Sequence, residues 1–325
     1  MNGSIAASPE NPILLSRVAE SAYWAGRYLE RAEGMARLIK SHSELVIDLP
    51  RAGGLGWEPL LAVVGTELGP EYDLHTEEAV VDHLAHNHGN PGSICTAIEG
   101  VHYNLRVTRS VMPIEAAELI IELHTIANND GRPANDRRTR RQWLTNIMRS
   151  CQTLSAILND TMTHDDAFSF FTIGRQLERA DLTTRVLDVH AGVLTGRPTD
   201  ALAPYTGLCW AATLRSVSML QAFRRRGVSA SPTATLEFLL NDNNCPRTVR
   251  SCIDEASRWL LELPQNHEAI TACAAVGSFL EDADVEELAI GDLHGFADRL
   301  EVAISEIHQK IHTTWFRPAT TAVLS

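Results

Sequence analysis

A twelve-residue pattern, Gly-Arg-x-Leu-Glu-Arg-Ala-acid-x-x-x-Arg, occurs twice in this chain, from Gly26 to Arg37 and from Gly174 to Arg185. The two copies lie 148 positions apart, Gly26 to Gly174, with identical internal spacing. Repetition over that distance points to a duplicated helical unit rather than a short-period solenoid. The pattern also constrains each helix. At 100° per residue, Gly26, Glu30, Glu33 and Arg37 fall within a stripe about 60° wide. Val18, Ala25, Leu29 and Ala36 border it, so the stripe adjoins the apolar face. Gly174, Glu178, Asp181 and Arg185 form the equivalent stripe beside Phe170, Ile173, Leu177 and Ala180. Arg27, Arg31, Arg175 and Arg179 project about 100° or more away from it. A glycine inside a helix costs about 1 kcal/mol against alanine, so Gly26 and Gly174 mark close approach by another backbone. The two helices are expected to pack together at these glycines, with the carboxylates of both copies sharing one polar cavity.

Three chemistries suit such stripes. A buried ion-pair lattice is the plainest, because Glu33 with Arg37 and Asp181 with Arg185 have the acid-before-base i,i+4 order that helices favour. A site for a charged ligand or partner is the second. A carboxylate-bridged metal centre fits least: it wants Glu-x-x-His pairs, each repeat has an acid instead, and an arginine shares the stripe. The expectation is therefore no metal at the repeat and no cofactor, with His164 and His190 too far along the chain to serve as ligands there. His83, His86 and His88 with Asp82, and His308 with His312, have metal-like spacing but no matching acid motif, so neither group is assigned a metal.

Length and charge narrow the function. The 325 residues carry 44% hydrophobic residues and a net charge of −13, enough for a large core but poorly suited to general nucleic-acid binding. Arg137, Arg138, Arg140 and Arg141, and Arg224 to Arg226, read as solvated helix ends. Lysine occurs only at Lys40 and Lys310, so arginine supplies nearly all the basicity, as bidentate carboxylate pairing prefers. The six cysteines are dispersed without a Cys-x-x-Cys and read as buried thiols of a reducing compartment. No 18-residue apolar run spans a membrane, and Met1 to Asn11 has no basic or apolar leader pattern, so a cytoplasmic location is expected. No nucleotide-binding loop or nucleophile elbow occurs, and the sequence assigns no catalytic residue.

Helical periodicity dominates throughout, which predicts an all-α, multi-helix bundle with an internally duplicated, pseudo-twofold core helix. Residues 1–11 read as a flexible tail, 12–317 as a single helical domain and 318–325 as a second tail. Ile13 to Ile47 and Asp165 to Leu194 are the expected repeat helices. A single helix is expected from Leu208 to Arg226. The segment Asn87-His88-Gly89-Asn90-Pro91-Gly92 is a helix-ending loop.

These residues resemble the alpha-E domain family of bacterial proteins. Leu15-Ser16-Arg17-Val18-Ala19-Glu20-Ser21 with Tyr23-Trp24-x-Gly26 through Glu33 is similar to the family's opening signature, and Gly174 through Asp181 to its second. Asn104-Leu105-Arg106-x-x-Arg109, Trp210 to Arg225, and Phe238-Leu239-Leu240 with Pro246-Arg247-x-Val249 resemble later segments. Ala117 stands where a tryptophan is usual, and Trp315-Phe316 replaces a Tyr-Phe ending. The resemblance implies a protein encoded beside, or fused to, a circularly permuted ATP-grasp ligase within a peptide or amide-bond-forming system. An accessory or substrate-handling component is the first expectation, with the ligase and a peptide or amino-acid substrate as partners. An enzyme using the paired stripes on an amine- and carboxylate-bearing substrate, and a purely structural interaction module, are the alternatives. Candidate binding residues are Arg27, Glu30, Glu33, Arg37, Arg175, Glu178, Asp181 and Arg185, with Arg106 and Arg109.

Overall fold

The computed structural model describes residues 16–49, 55–64, 76–129, 136–195 and 203–317, with no strand among them. The two tails read from the sequence, 1–11 and 318–325, lie outside these residues. Helix α1 spans Ser16–Asp48 and α7 spans Asp166–Thr195. Between them lie α2 (Pro59–Val63), α3 (Glu77–Ala85), α4 (Ile94–Val107), α5 (Ile114–Asn129) and α6 (Arg137–Thr161). After them come α8 (Thr206–Ser216), α9 (Leu220–Arg224), α10 (Pro232–Asn241), α11 (Val249–Leu260), α12 (His267–Glu281), α13 (Val285–Ile290) and α14 (Leu293–Ile311). A π-helical turn, His312–Phe316, closes α14.

Helix starts follow local chemistry. Thr76, Ser93, Asp136, Ser231 and Thr248 each accept a hydrogen bond from a first-turn backbone N–H of α3, α4, α6, α10 and α11. The helix expected from Leu208 to Arg226 is two helices instead. The chain breaks at Val217–Met219, where Ser218 adopts a left-handed φ of 60°. Two short helices, α2 and α13, fall where the sequence reading assigns no helix, because five or six residues carry too little periodicity.

The α1–α7 pair makes the largest helix–helix interface among the described residues, and one hydrophobic cluster runs from Ala19 to Phe316 around it. Helices α4 and α6 pack on α1, while α11 and α14 pack on α7. Five of the six free cysteines are buried, as small apolar groups. Arg140, read from sequence as part of a solvated cluster, is buried: it pairs with Glu77 and lies 5.4 Å from the Trp57 ring centre.

Gly26 and Gly174 are the points of contact. A Cβ at Gly26 would lie 2.1 Å from the Phe171 carbonyl oxygen, and a Cβ at Gly174 would lie 2.1 Å from that of Tyr23. The contacts are reciprocal at the offset of the repeat, and the obstructing atoms are main chain, which no rotamer change removes. Gly26→Ala or Gly174→Ala should therefore destabilise by about 1–3 kcal/mol despite alanine's better helix propensity. Gly277→Ala in α12, whose Cβ would meet only Arg250 at 3.9 Å, should be neutral or stabilising by under about 1 kcal/mol. Urea unfolding of the three variants distinguishes these outcomes.

Candidate functional site

Backbone contact at the glycines brings the arginines of one repeat onto the carboxylate of the other. Arg31 grips Glu178 with two hydrogen bonds, Nε to Oε1 at 2.5 Å and Nη2 to Oε2 at 3.0 Å, and Arg27 Nε donates to Oε2 at 2.5 Å. Reciprocally, Arg179 donates to Glu30 at 2.7 Å and Arg175 pairs with it at 3.6 Å. Both carboxylates are about 1% exposed. The four arginines sit off the acid stripe of their own helix, as the wheel predicts, yet their length carries them across the interface. The i,i+4 pairs Glu33–Arg37 and Asp181–Arg185 also form, the latter at 3.3 Å.

The carboxylates do not share one cavity, contrary to the expectation from sequence. Two long helices crossing at backbone contact leave no room between them, so each acidic pair faces its own side. On one side, Glu178, Asp181, Arg31 and Arg185 line an open cleft of about 590 Å³. Its far wall is His83 of α3 and the loop from Asn87 to Gly92, with Val63 and Val64 after α2. On the other side, Glu30 and Arg37 line a cavity of only about 20 Å³ with Arg179 and Arg247. There Arg247, just before α11, donates to Glu30 at 2.5 Å and to Glu33 at 3.1 Å, and Gln152 of α6 donates to Glu33 at 3.0 Å.

Electrostatics separate the acids by role. Burial opposes ionisation of Glu178, but Arg31 and Arg27 outweigh it and hold its carboxyl down at about 2. Burial likewise opposes ionisation of Glu30, and Arg179, Arg247 and Arg175 hold it well below the usual range. Both are fixed anions with occupied lone pairs, which suits positioning and not proton transfer. Glu301 of α14 behaves oppositely. Burial first, then Asp181, Asp188 and Asp298 against the opposing pull of Arg185, raise it to about 7. It pairs with Arg185 at 3.7 Å, behind the cleft. Beside Glu178, Tyr23 is fully buried, receives a hydrogen bond from Arg27 at 3.2 Å and contacts His308 Nδ1 at 2.9 Å.

Other sequence candidates go elsewhere. Arg106 and Arg109 are exposed and line a separate groove between α4 and α5, with Leu105, Met112 and Ile114, so they do not join the repeat site. The spaced histidines diverge: His83 contacts Asn87, His86 packs on Trp143, and His88 pairs with Glu99. His164 contacts the Asn159 carbonyl ahead of α7, and the His190 side chain lies outside the described residues. One group with metal-type side chains exists among the described residues, Asp188 with His294 and Asp298, the last two exposed.

Arg31, Arg179, Arg247, Gln152, Glu301 and the 87–92 loop are site elements that the sequence reading did not assign. Arg31 and Arg179 were present in the repeat itself, and Arg247 stood in the Pro246-Arg247 segment; nothing in sequence marks Gln152 or Glu301.

The lattice sets a pH dependence. In the folded chain Glu178 stays ionised down to about pH 2, whereas an unfolded glutamate takes up its proton near 4.5. Between those values the unfolded state binds more protons, so stability present above pH 4.5 is lost as pH falls toward 2. Glu178→Gln should flatten that part of the profile. It should also cost about 3–5 kcal/mol at pH 7, because Arg27 and Arg31 are left without their partner. Urea midpoints between pH 3 and pH 7 measure both effects; an unchanged slope contradicts the assignment.

The chain matches the model of the Alpha-E family, described as a predicted alpha-helical domain with a conserved ER motif, over residues 14–316. An Glu-Arg pair stands at Glu30-Arg31 and again at Glu178-Arg179, the residues that form the reciprocal lattice. The chain is similar to an uncharacterized protein of Mycobacterium bovis, at 26% identity over 274 residues, and to two uncharacterized proteins of Mycobacterium tuberculosis, at 26% and 25%. Each match covers 76% of this chain and 30% of the relative, so the chain spans less than a third of the length of these relatives. No solved structure shows a significant match. With its matched region covering nearly every residue of the helical array, the chain belongs to the Alpha-E family.

Proposed function

We propose that the protein is an accessory, substrate-handling component of an amide-bond-forming system whose catalyst is a circularly permuted ATP-grasp ligase. The observation that carries this reading is the cleft beside Glu178. Its about 590 Å³ accommodate a short peptide or amino acid, and Asp181 and Arg185 present opposite charges at its wall. A zwitterion carries an ammonium and a carboxylate at fixed separation, which that pair complements. Glu178 and Glu30 are locked as anions, so the repeat acids bind and position. The sequence has no phosphate-cradling loop, and in the mycobacterial relatives the matched region is a minor part of a longer chain, as fits a module that works with others. No helix among the described residues is long and apolar enough to cross a membrane, and the proposed setting is the cytoplasm.

A second reading, an enzyme in its own right, draws support from Glu301. A carboxyl that gives up its proton near pH 7 is poised for acid–base work, and it sits one ion pair behind the cleft.

Calorimetric titration with ATP and magnesium should show no binding by this chain alone; micromolar affinity with turnover sinks the accessory reading. In a reconstituted system with the ligase, Asp181→Asn with Arg185→Gln should lower amide product by about tenfold, the loss of roughly one charge-assisted contact. The melting temperature should change little, since both residues are partly exposed. Unchanged product output would remove the cleft from the account, and product made without any ligase would favour the enzyme.

A further inference from the structure

The two sides of the α1–α7 pair differ in charge balance. On the cleft side three guanidinium groups, Arg27, Arg31 and Arg185, meet three carboxylates, Glu178, Asp181 and Glu301. On the Glu30 side four guanidinium groups, Arg37, Arg175, Arg179 and Arg247, meet two, Glu30 and Glu33. None of these four reaches another carboxylate at ion-pair distance among the described residues. A buried surplus of cations is costly unless an anion joins it. Three of these side chains also hold unused donors: the Nε atoms of Arg37, which is 5% exposed, of Arg175 and of Arg179 are buried without a hydrogen-bond partner. Burial first and the Arg247 charge second pull the Arg37 guanidinium down to about 10, as surplus positive potential requires.

Arg37 leads out of this cluster. It lines a second pocket of about 390 Å³ with Lys40, Ser41, Glu44, Arg215 and Gln221. Glu44 is already held by Arg215 at 3.0 Å and Arg141 at 3.5 Å. The lining of this pocket carries three cations, Arg37, Lys40 and Arg215, against one carboxylate, Glu44. A monoanion would leave one charge of that lining uncompensated, whereas a phosphate dianion balances it and offers oxygens enough for Arg, Lys and hydroxyl donors. The volume exceeds that of a bare phosphate and leaves space for the group that carries it.

We propose that the pocket bounded by Arg37, Lys40 and Arg215 binds the phosphate dianion of a small phosphomonoester. This site lies on the Glu30 side and is independent of the peptide reading of the Glu178 cleft.

The test is calorimetry on the full chain in low-salt, chloride-free buffer at pH 7.5, with phenyl phosphate and inorganic phosphate as probes. Saturable one-to-one binding is expected, with phenyl phosphate tighter. Equal affinity for both, or tighter binding of inorganic phosphate, would overturn the phosphomonoester assignment. Lys40→Ala and Arg215→Gln should each weaken binding by about fivefold or more, one charge-assisted contact apiece, with the fold intact by circular dichroism. Lys310→Ala, whose side chain pairs with Glu268 on the surface, should leave it unchanged. No saturable binding up to about 10 mM, or equal weakening by Lys310→Ala, overturns the proposal.

Discussion

Everything that distinguishes this helical array follows from two main chains meeting at Gly26 and Gly174. A side chain at either position would collide with a carbonyl oxygen of the opposite helix. With the backbones that close, the arginines one and five residues after each glycine reach the facing carboxylate, and Glu178 and Glu30 each acquire two cross-helix guanidinium partners. Taking ions out of water costs several kcal/mol apiece, and each carboxylate recovers this only because multiple short, directional hydrogen bonds replace the lost hydration. The lattice therefore specifies register and crossing as much as stability: sliding one helix by a residue would leave buried charges unmatched.

The reciprocal contact produces two unlike faces because different helices cover it. Helix α14, with Glu301, and the 87–92 loop flank the Glu178 side, leaving a charge-balanced cleft open to a ligand. Helices α6 and α11 cover the Glu30 side, adding Gln152 and Arg247 and closing it to about 20 Å³. The Tyr23–His308 contact exists on one face alone, since Phe171 occupies the corresponding position of the second repeat. Two helices with the same twelve-residue pattern thus carry dissimilar surroundings, one an open charge-balanced cleft and the other loaded with positive charge.

The all-α class, the repeat helices and the role of the glycines were legible in the sequence, because long periodic segments and an unusual mid-helix residue are strong local signals. The i,i+4 pairs were legible for the same reason. The shared cavity was not, because a single-helix wheel shows which residues share a face but not how little space remains when two backbones touch. Arg31 and Arg179 sit off the acid stripe as that wheel places them, but a wheel does not show the reach of an arginine side chain across the interface. Gln152 and Glu301 come from α6 and α14, and Arg247 from the turn before α11, and their approach depends on tertiary packing that no spacing within the repeat encodes. The break at Ser218 also escaped detection, since a serine in left-handed backbone carries no glycine signal.

The central claim is that a cross-helix Glu–Arg lattice couples the two repeat helices. A double-mutant cycle on Arg31→Met and Glu178→Gln, read by urea unfolding at pH 7, measures that coupling directly. The lattice predicts an interaction energy of about 1–3 kcal/mol, with the double variant less destabilised than the sum of the singles. A value within about 0.3 kcal/mol of zero would mean that the two groups do not sense each other and would contradict the account.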